Sequence, residues 1–277
     1  MTPAEHRAQV EAWYQDREAR LRSPNGWLAL VGLHWLEPGE NRFGTDLDNQ
    51  IVLSGSGVPP RAGTLHLDGN AVRLASGPDP GLRLDRAPAG PMRLADDADG
   101  EPTLLQLGSL QMHLIRRGDR IGLRVRDHQA TALAGFRGVD RFPIDPSWRV
   151  IGRLEPSKAG TVEIVDVTGR VSHEPTKGAF AFERDGVMWR LTALAGDDAG
   201  GLWLIFGDAT NARETYGGGR YLYTEPAAPD GTVVADFNLA YNPPCAFSSF
   251  ATCPLPPAEN RLNLRIEAGE RMYVAPE

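Results

Sequence analysis

Hydrophobic and polar positions alternate with a period near two along most of the chain, in short runs cut by glycine, proline and Asp-Gly pairs. Only the first twenty residues keep a helical spacing, with Val10, Trp13, Tyr14 and Leu21 recurring among charges. Thr2 suits the N-cap, Pro3 the first helical position, and Glu5 completes a capping box. A helix is therefore expected, ended by the turn Ser23-Pro24-Asn25-Gly26. The run 27–36 that follows is apolar at nearly every position. Its periodicity leaves helix and strand open, but it demands burial.

From Glu37 to Asp127 the pattern is one of short strands: 51–53, 63–67, 71–74, 82–84, 111–115 and 121–125. Asp68-Gly69-Asn70 and Arg117-Gly118-Asp119 are hairpin chemistry between them. After Pro143-Ile144-Asp145-Pro146 the strands resume at 148–154, 161–167, 179–182, 187–194, 202–206, 221–224, 233–239 and 262–266. Leu202-Trp203-Leu204-Ile205-Phe206 is apolar throughout and reads as a strand buried on both faces. The expectation is a mostly-β protein. It has an N-terminal helix and apolar segment over 1–36 and a small β-sandwich over 37–127. A larger antiparallel β-barrel or sandwich follows over 128–277, with a proline-rich loop at 239–260.

Composition narrows the function classes. With 277 residues, 41% of them hydrophobic, the chain can bury a real core as one large domain or two ordinary ones. A net charge of −7 lacks the basic face that nucleic-acid binding needs. No basic segment leads into an apolar stretch at the start, and the ten-residue run 27–36 falls short of the roughly 20 that span a membrane. Two cysteines are too few for a disulfide scaffold, so a soluble, cytoplasmic protein is expected.

The chemistry concentrates in 236–260. Five of the 22 prolines fall between 243 and 257, and a stiff connection of that kind can hold side chains in place without a strand beneath them. Before it, Asp236 and Asn238 share one strand face by the two-residue period. Cys245 and Cys253 are separated by seven residues, and the six histidines are scattered, which does not match zinc spacing. No metal or cofactor is expected, and both cysteines are expected to be reduced. A nucleophilic Cys245 would need a cationic or basic neighbour, for which His128 is the candidate; the plain alternative is two small residues packed in a loop.

Arg124 and Arg126 leave one face of a strand, either to solvent or toward an anion. Gly217-Gly218-Gly219-Arg220 precedes a strand and so lacks the context of a phosphate loop. It reads as a bulge or as a close backbone approach with Arg220 beside it. Asp97-Ala98-Asp99-Gly100 lacks calcium ligands at its first and twelfth positions. Ser54-Gly55-Ser56-Gly57 lacks the flanks of a nucleophile elbow.

Two resemblances add to this reading. Gly39-x-x-Arg42-Phe43-Gly44 with Asn49-Gln50-Ile51-Val52-Leu53 resembles the opening of forkhead-associated (FHA) domains over 37–127. That likeness implies a β-sandwich, but Thr45 stands where those domains keep a phosphate-binding Arg. Pro59-Pro60-Arg61-Ala62 likewise offers no Ser-x-x-His, so phosphothreonine reading is expected to be lost. A second set spans nearly the whole chain: Gly26-Trp27-Leu28, Gly32-Leu33-x-Trp35-Leu36, Phe142-Pro143-x-Asp145, Thr215-Tyr216 and Gly219-Arg220. With Asn242-Pro243-Pro244-Cys245 and Cys253-Pro254-Leu255-Pro256-Pro257, it resembles the bacterial and archaeal domain-of-unknown-function family 1684, whose name implies no activity.

The functional expectation is a binding module. Its pocket, beside the proline-rich loop, would take a small anionic molecule between Arg124, Arg126, Arg220, Asp236, Asn238 and Asn242. The alternative is an enzyme working through Asp236, Cys245 or His128. Protein partners are left open.

Overall fold

In a computed structural model, which describes residues 1–75, 81–85, 93–157, 159–196 and 200–275, the capping box forms as expected. Thr2 Oγ1 accepts the Glu5 N–H at 3.3 Å and Glu5 Oε2 accepts the Thr2 N–H at 2.7 Å. Helix α1 (Pro3–Arg22) follows. Its buried stripe is His6, Val10, Tyr14, Arg17 and Leu21, so two of five inward positions are polar. Trp13, expected in the stripe, is only half-buried.

The chain divides into two compact units, Leu21–Phe136 and a second formed by Met1–Arg20 with Arg137–Glu277. These boundaries differ from the sequence reading, in which 1–36 stood apart. Trp27–Ala29 is a 3-10 turn and the rest of the apolar run is strand β1 (Leu30–Trp35). That run belongs with the first sandwich because β1 pairs antiparallel with β10 (Arg120–Asp127).

The first unit also contains β2 (Gly39–Gly44), β3 (Ile51–Val52), β4 (Gly63–Asp68), β5 (Ala71–Leu74) and β6 (Arg83–Leu84). Next come β7 (Arg93–Leu94), β8 (Leu105–Leu107) and β9 (Leu110–Arg117). They form two five-stranded sheets, β1-β10-β9-β8-β6 and β3-β2-β4-β5-β7. Phe43, Leu65 and Val72 from one sheet meet Leu105, Met112, Leu114, Leu123 and Val125 from the other in one core. Fully burying side chains of this size contributes roughly 1.5–3 kcal/mol each, which is what holds the sandwich. A short helix α2 (Thr131–Gly135) leads out.

The second unit carries β11 (Arg149–Glu155), β12 (Thr161–Val165), β13 (Val171–Arg184), β14 (Val187–Ala195), β15 (Leu202–Phe206), β16 (Arg220–Tyr223) and β17 (Thr232–Asp236). The sheet runs β16-β15-β14-β13-β11-β17, with β12 paired to β13. Asp185 (φ 55°) and Gly186 (φ 73°) make the β13–β14 turn with two left-handed residues, as a two-residue hairpin requires. The ends of the path approach each other. Glu225 N–H donates to Val234 O at 3.0 Å, and Tyr221 and Tyr241 exchange backbone hydrogen bonds of 2.9 Å. The sheet thus curls as a half-barrel around Phe180, Phe182, Phe206, Phe237 and Leu204.

Two strand expectations fail here. The strand expected over 233–239 stops at Asp236, whose Oδ1 accepts the Asn238 N–H at 3.0 Å and caps a 3-10 turn, Phe237–Leu239. Asp236 and Asn238 therefore do not share a strand face. The other expected strand, 262–266, is not one. Leu262 N–H bonds Gly207 O and Ala209 N–H bonds Leu264 O, so its backbone groups are taken up by a bend rather than a sheet. β14 and β15 pair only at Leu194/Trp203 and Ala195/Leu202. In the gap beyond, the Asn260 carboxamide stands in for a strand. Its Oδ1 accepts Thr192 N–H at 2.7 Å, and its Nδ2 donates to Thr192 O and Ile205 O at 2.9 Å.

Candidate functional site

The four expected site residues of the second unit fall in two polar clusters built by backbone geometry. Arg220 opens β16 after Gly219, whose φ of +87° and tight surroundings (Phe206 O 2.6 Å from where a Cβ would lie) only glycine accommodates. The close approach anticipated for the glycine run is thus to the protein's own backbone. Arg220 is completely buried. Its Nη2 donates to Asp208 Oδ2 at 2.7 Å and Ile266 O at 2.9 Å, and its Nη1 to Ala268 O and, at 3.4 Å, Glu270 O. Asp208, also without exposure, accepts Thr210 N–H at 2.8 Å and Thr210 Oγ1–H at 2.6 Å on its other oxygen. A buried charge needs this complement of partners. The partner of Arg220 is Asp208, which the sequence reading did not single out.

The second cluster ties α1 to 236–242. His6 Nε2 lies 2.6 Å from Asp236 Oδ2. Tyr14 Oη–H donates to Asn238 O at 2.8 Å. Asn238 clamps Asp145 at two points, its Oδ1 accepting Asp145 N–H and its Nδ2 donating to Asp145 O, both at 2.9 Å. Arg17 Nε donates to Glu270 Oε1 at 2.9 Å and its Nη2 to Asn242 O at 2.9 Å, while Glu270 Oε2 accepts Asn242 N–H at 2.7 Å. Glu270, another residue missed in the sequence, is thus the joint between Arg17, Asn242 and, through its carbonyl, Arg220.

Arg124 and Arg126 belong to the other unit, on β10. The structure therefore divides the six residues between units rather than assembling them within one. Nor are these arginines on a solvated face: Arg124 is buried, beside the buried His113 and Gln111 of β9. Arg126 Nη1 lies 3.3 Å from His113 Nδ1. A guanidinium can only donate, so Nδ1 carries the lone pair. Burial first, then the charges of Arg126 and Arg124, depress the His113 pKa to about 4. His128, the candidate base, is exposed in this unit, with its N–H bonded to Ser109 O.

The cysteine loop differs from both clusters. Pro243 and Pro244 fix the backbone into a 3-10 turn, Pro244–Ala246, that leaves Cys245 half-buried. Cys253 is buried, and its backbone is held where Val167 N–H bonds Cys253 O at 2.9 Å and Leu255 N–H bonds Val165 O at 2.8 Å. The two cysteines, both free, meet sulfur to backbone: Cys253 Sγ accepts the Cys245 N–H at 3.1 Å. Hydrogen bonding from the Cys253 thiol, and then from the Tyr216 hydroxyl, lowers the Cys245 pKa against the opposing effect of burial. Cys253 is pushed strongly up by the same thiol contact and by burial. Tyr216 Oη–H donates to Cys245 O at 3.2 Å and Tyr221 Oη–H to Pro254 O at 2.7 Å, fixing each cysteine segment from below.

Around this loop Tyr221 meets Tyr241 edge-on, with centroids 5.8 Å apart. The Arg17 guanidinium lies 4.6 Å from the Tyr241 centroid and 5.7 Å from that of Phe247. Clefts elsewhere in the unit, of about 420 Å³ beside Pro3, Arg7, Glu11 and Ile144 and about 270 Å³ beside Glu18, Asp140 and Tyr273, contain none of the six residues. Among the described residues no three His, Cys, Asp or Glu side chains are grouped as metal ligands, and no helix is long and apolar enough to cross a membrane.

The chain belongs to the family described as "Protein of unknown function (DUF1684)", whose model matches residues 134–271. The motifs at 26–36 thus lie outside the match, which is narrower than the near-whole-chain likeness read from the sequence. An uncharacterised protein of Haloarcula marismortui, solved in solution, is 34% identical; the alignment covers 49% of this chain and 77% of that one, with a TM-score of 0.41. Two FHA-domain structures, one described as phosphothreonine-dependent and one as the FhaA domain bound to an intracellular partner domain, are each 24% identical with TM-scores of 0.23. Each covers 34% of this chain, and 92% and 97% of its own. No curated protein matches.

Proposed function

We propose that the 243–257 loop is a thiol-reactive site in which Cys245 is the nucleophile toward a small electrophilic molecule. The observation that carries this reading is the contact of Cys245 with the second cysteine: Cys253 Sγ lies 3.1 Å from the Cys245 nitrogen, and Cys245 itself is only half-buried. The thiolate is the nucleophilic form, and donors around the sulfur favour it. The Tyr216 proton, given to the Cys245 carbonyl in the thiol form, is within reach of the ionised sulfur. An anionic ligand held by Arg220 has less support, because Asp208 and three carbonyls already engage that guanidinium.

The test is the rate of alkylation by iodoacetamide against pH, read by peptide mass spectrometry. Cys245 should react with a midpoint below the roughly 8.5 of an ordinary cysteine, and Cys253 should lag far behind. Equal, slow modification of both thiols with an ordinary or raised midpoint would refute the proposal.

A further inference from the structure

Resting on that reading, we infer that Cys253 is the resolving partner of Cys245, so that a hydroperoxide converts the pair into a disulfide across the 245–253 loop. Three features of the loop carry the inference. The sulfurs belong to two segments held independently, Cys245 by the Pro244–Ala246 turn and Cys253 by its backbone bonds beside β12, yet Cys253 Sγ lies against the Cys245 amide. Cys245 is the more open of the two and Cys253 is buried, so a reagent from solvent meets Cys245 first. Between them Ser248, Ser249 and Phe250 are half-buried or exposed, so the connecting segment can adjust as the sulfurs close. Bond formation needs specific geometry, and a Cys253 sulfur already 3.1 Å from the Cys245 amide needs little backbone movement to reach it.

The chemistry balances with the peroxide as oxidant. The Cys245 thiolate attacks the outer oxygen of ROOH, the O–O bond breaks, and the alkoxide leaves as ROH after taking a proton. Cys245 becomes a sulfenic acid, oxidised by two electrons as the peroxide is reduced by two. The Cys253 sulfur then attacks the Cys245 sulfur, the S–O bond breaks, and hydroxide leaves as water with the Cys253 proton. Overall, two thiols and ROOH give one disulfide, ROH and water. Burial beside Cys245 gives Cys253 this second role: shielded from the reagent, it is placed for the sulfenic acid alone.

The test treats the intact protein with one equivalent of cumene hydroperoxide, with and without dimedone, and maps both cysteines by mass spectrometry. The wild-type protein should lose two hydrogens, give a 245–253 cross-linked peptide, and recover its thiols with dithiothreitol. Cys253→Ala and Cys253→Ser, checked for folding by circular dichroism, should accumulate the dimedone adduct at Cys245. Cys245→Ala should give neither product. A wild-type protein that stops at sulfenic or sulfinic acid on Cys245, or links only between molecules, overturns the inference while leaving Cys245 as the nucleophile. Failure of Cys245 to react overturns both.

Discussion

The Arg220 node and the cysteine loop lie in the same unit, and both hold polar side chains away from water, but they spend their hydrogen bonds differently. At Arg220 a guanidinium, a carboxylate and three carbonyls answer one another completely at the two terminal nitrogens and both carboxylate oxygens. In the loop the tyrosine hydroxyls and the strand edge satisfy backbone groups, and the two cysteines meet through a sulfur–amide hydrogen bond. A cluster whose charges are matched from within serves the fold; one whose framework is matched and whose reactive atoms are not is free for chemistry.

The sharpest way to break this comparison is Arg220→Met. It leaves Asp208 buried without its countercharge and should cost roughly 3–5 kcal/mol, read as a fall in the urea midpoint. A stable variant would mean the node is not structural. Next, Glu270→Gln keeps an acceptor for Arg17 but removes the charge, for a loss of about 2 kcal/mol in the same measurement, with Cys245 alkylation unchanged when assayed well below the transition.

A pH series extends the contrast to the other unit. His113 has its pKa depressed from 6.5 to about 4, so the folded state binds that proton less readily than the unfolded one. The stability it contributes is fully present above 6.5 and is lost as the pH falls toward 4. His113→Gln should flatten the wild-type slope in that window, and an unchanged slope would place the acid sensitivity elsewhere. The smallest effect is expected from Tyr216→Phe. Removing that donor should move the Cys245 alkylation midpoint upward, while stability changes by no more than about 1 kcal/mol.

Much of the fold was legible because local signals and tertiary structure agree. The Thr2/Glu5 box, the Arg184-Asp185-Gly186 hairpin and the apolar strand Leu202–Phe206 depend on neighbours in sequence. The site was legible only in part. The proline-rich loop and Cys245 stood out by composition, but polar residues on alternating positions cannot say what they face. Arg220 was read toward a ligand because its partners, Asp208 and the carbonyls of 266–270, lie 12 and 46 to 50 residues away in sequence, where local spacing pairs nothing. Asn238 was misplaced on a strand face because the strand stops at Asp236, and a carboxylate that caps a turn has the same spacing as one that points sideways. His6 and Arg17 were overlooked because a polar residue in an amphipathic stripe reads as solvent-facing until its buried partner, 230 or 253 residues away, is known.

Those separations have a consequence for synthesis. Most of helix α1 precedes the Leu21–Phe136 sandwich in sequence, yet its partners, among them Asp236, Asn238, Asn242 and Glu270, lie after it. As the chain emerges, the sandwich has all its strands and can fold on its own schedule. The helix cannot, since its docking must wait until residues 236–270 have been made. Until then His6, Val10, Tyr14 and Arg17 stay on a helix with no surface to cover them, a window in which a chaperone or a neighbouring nascent chain can bind. Docking of the helix thus follows synthesis of the segment that covers it.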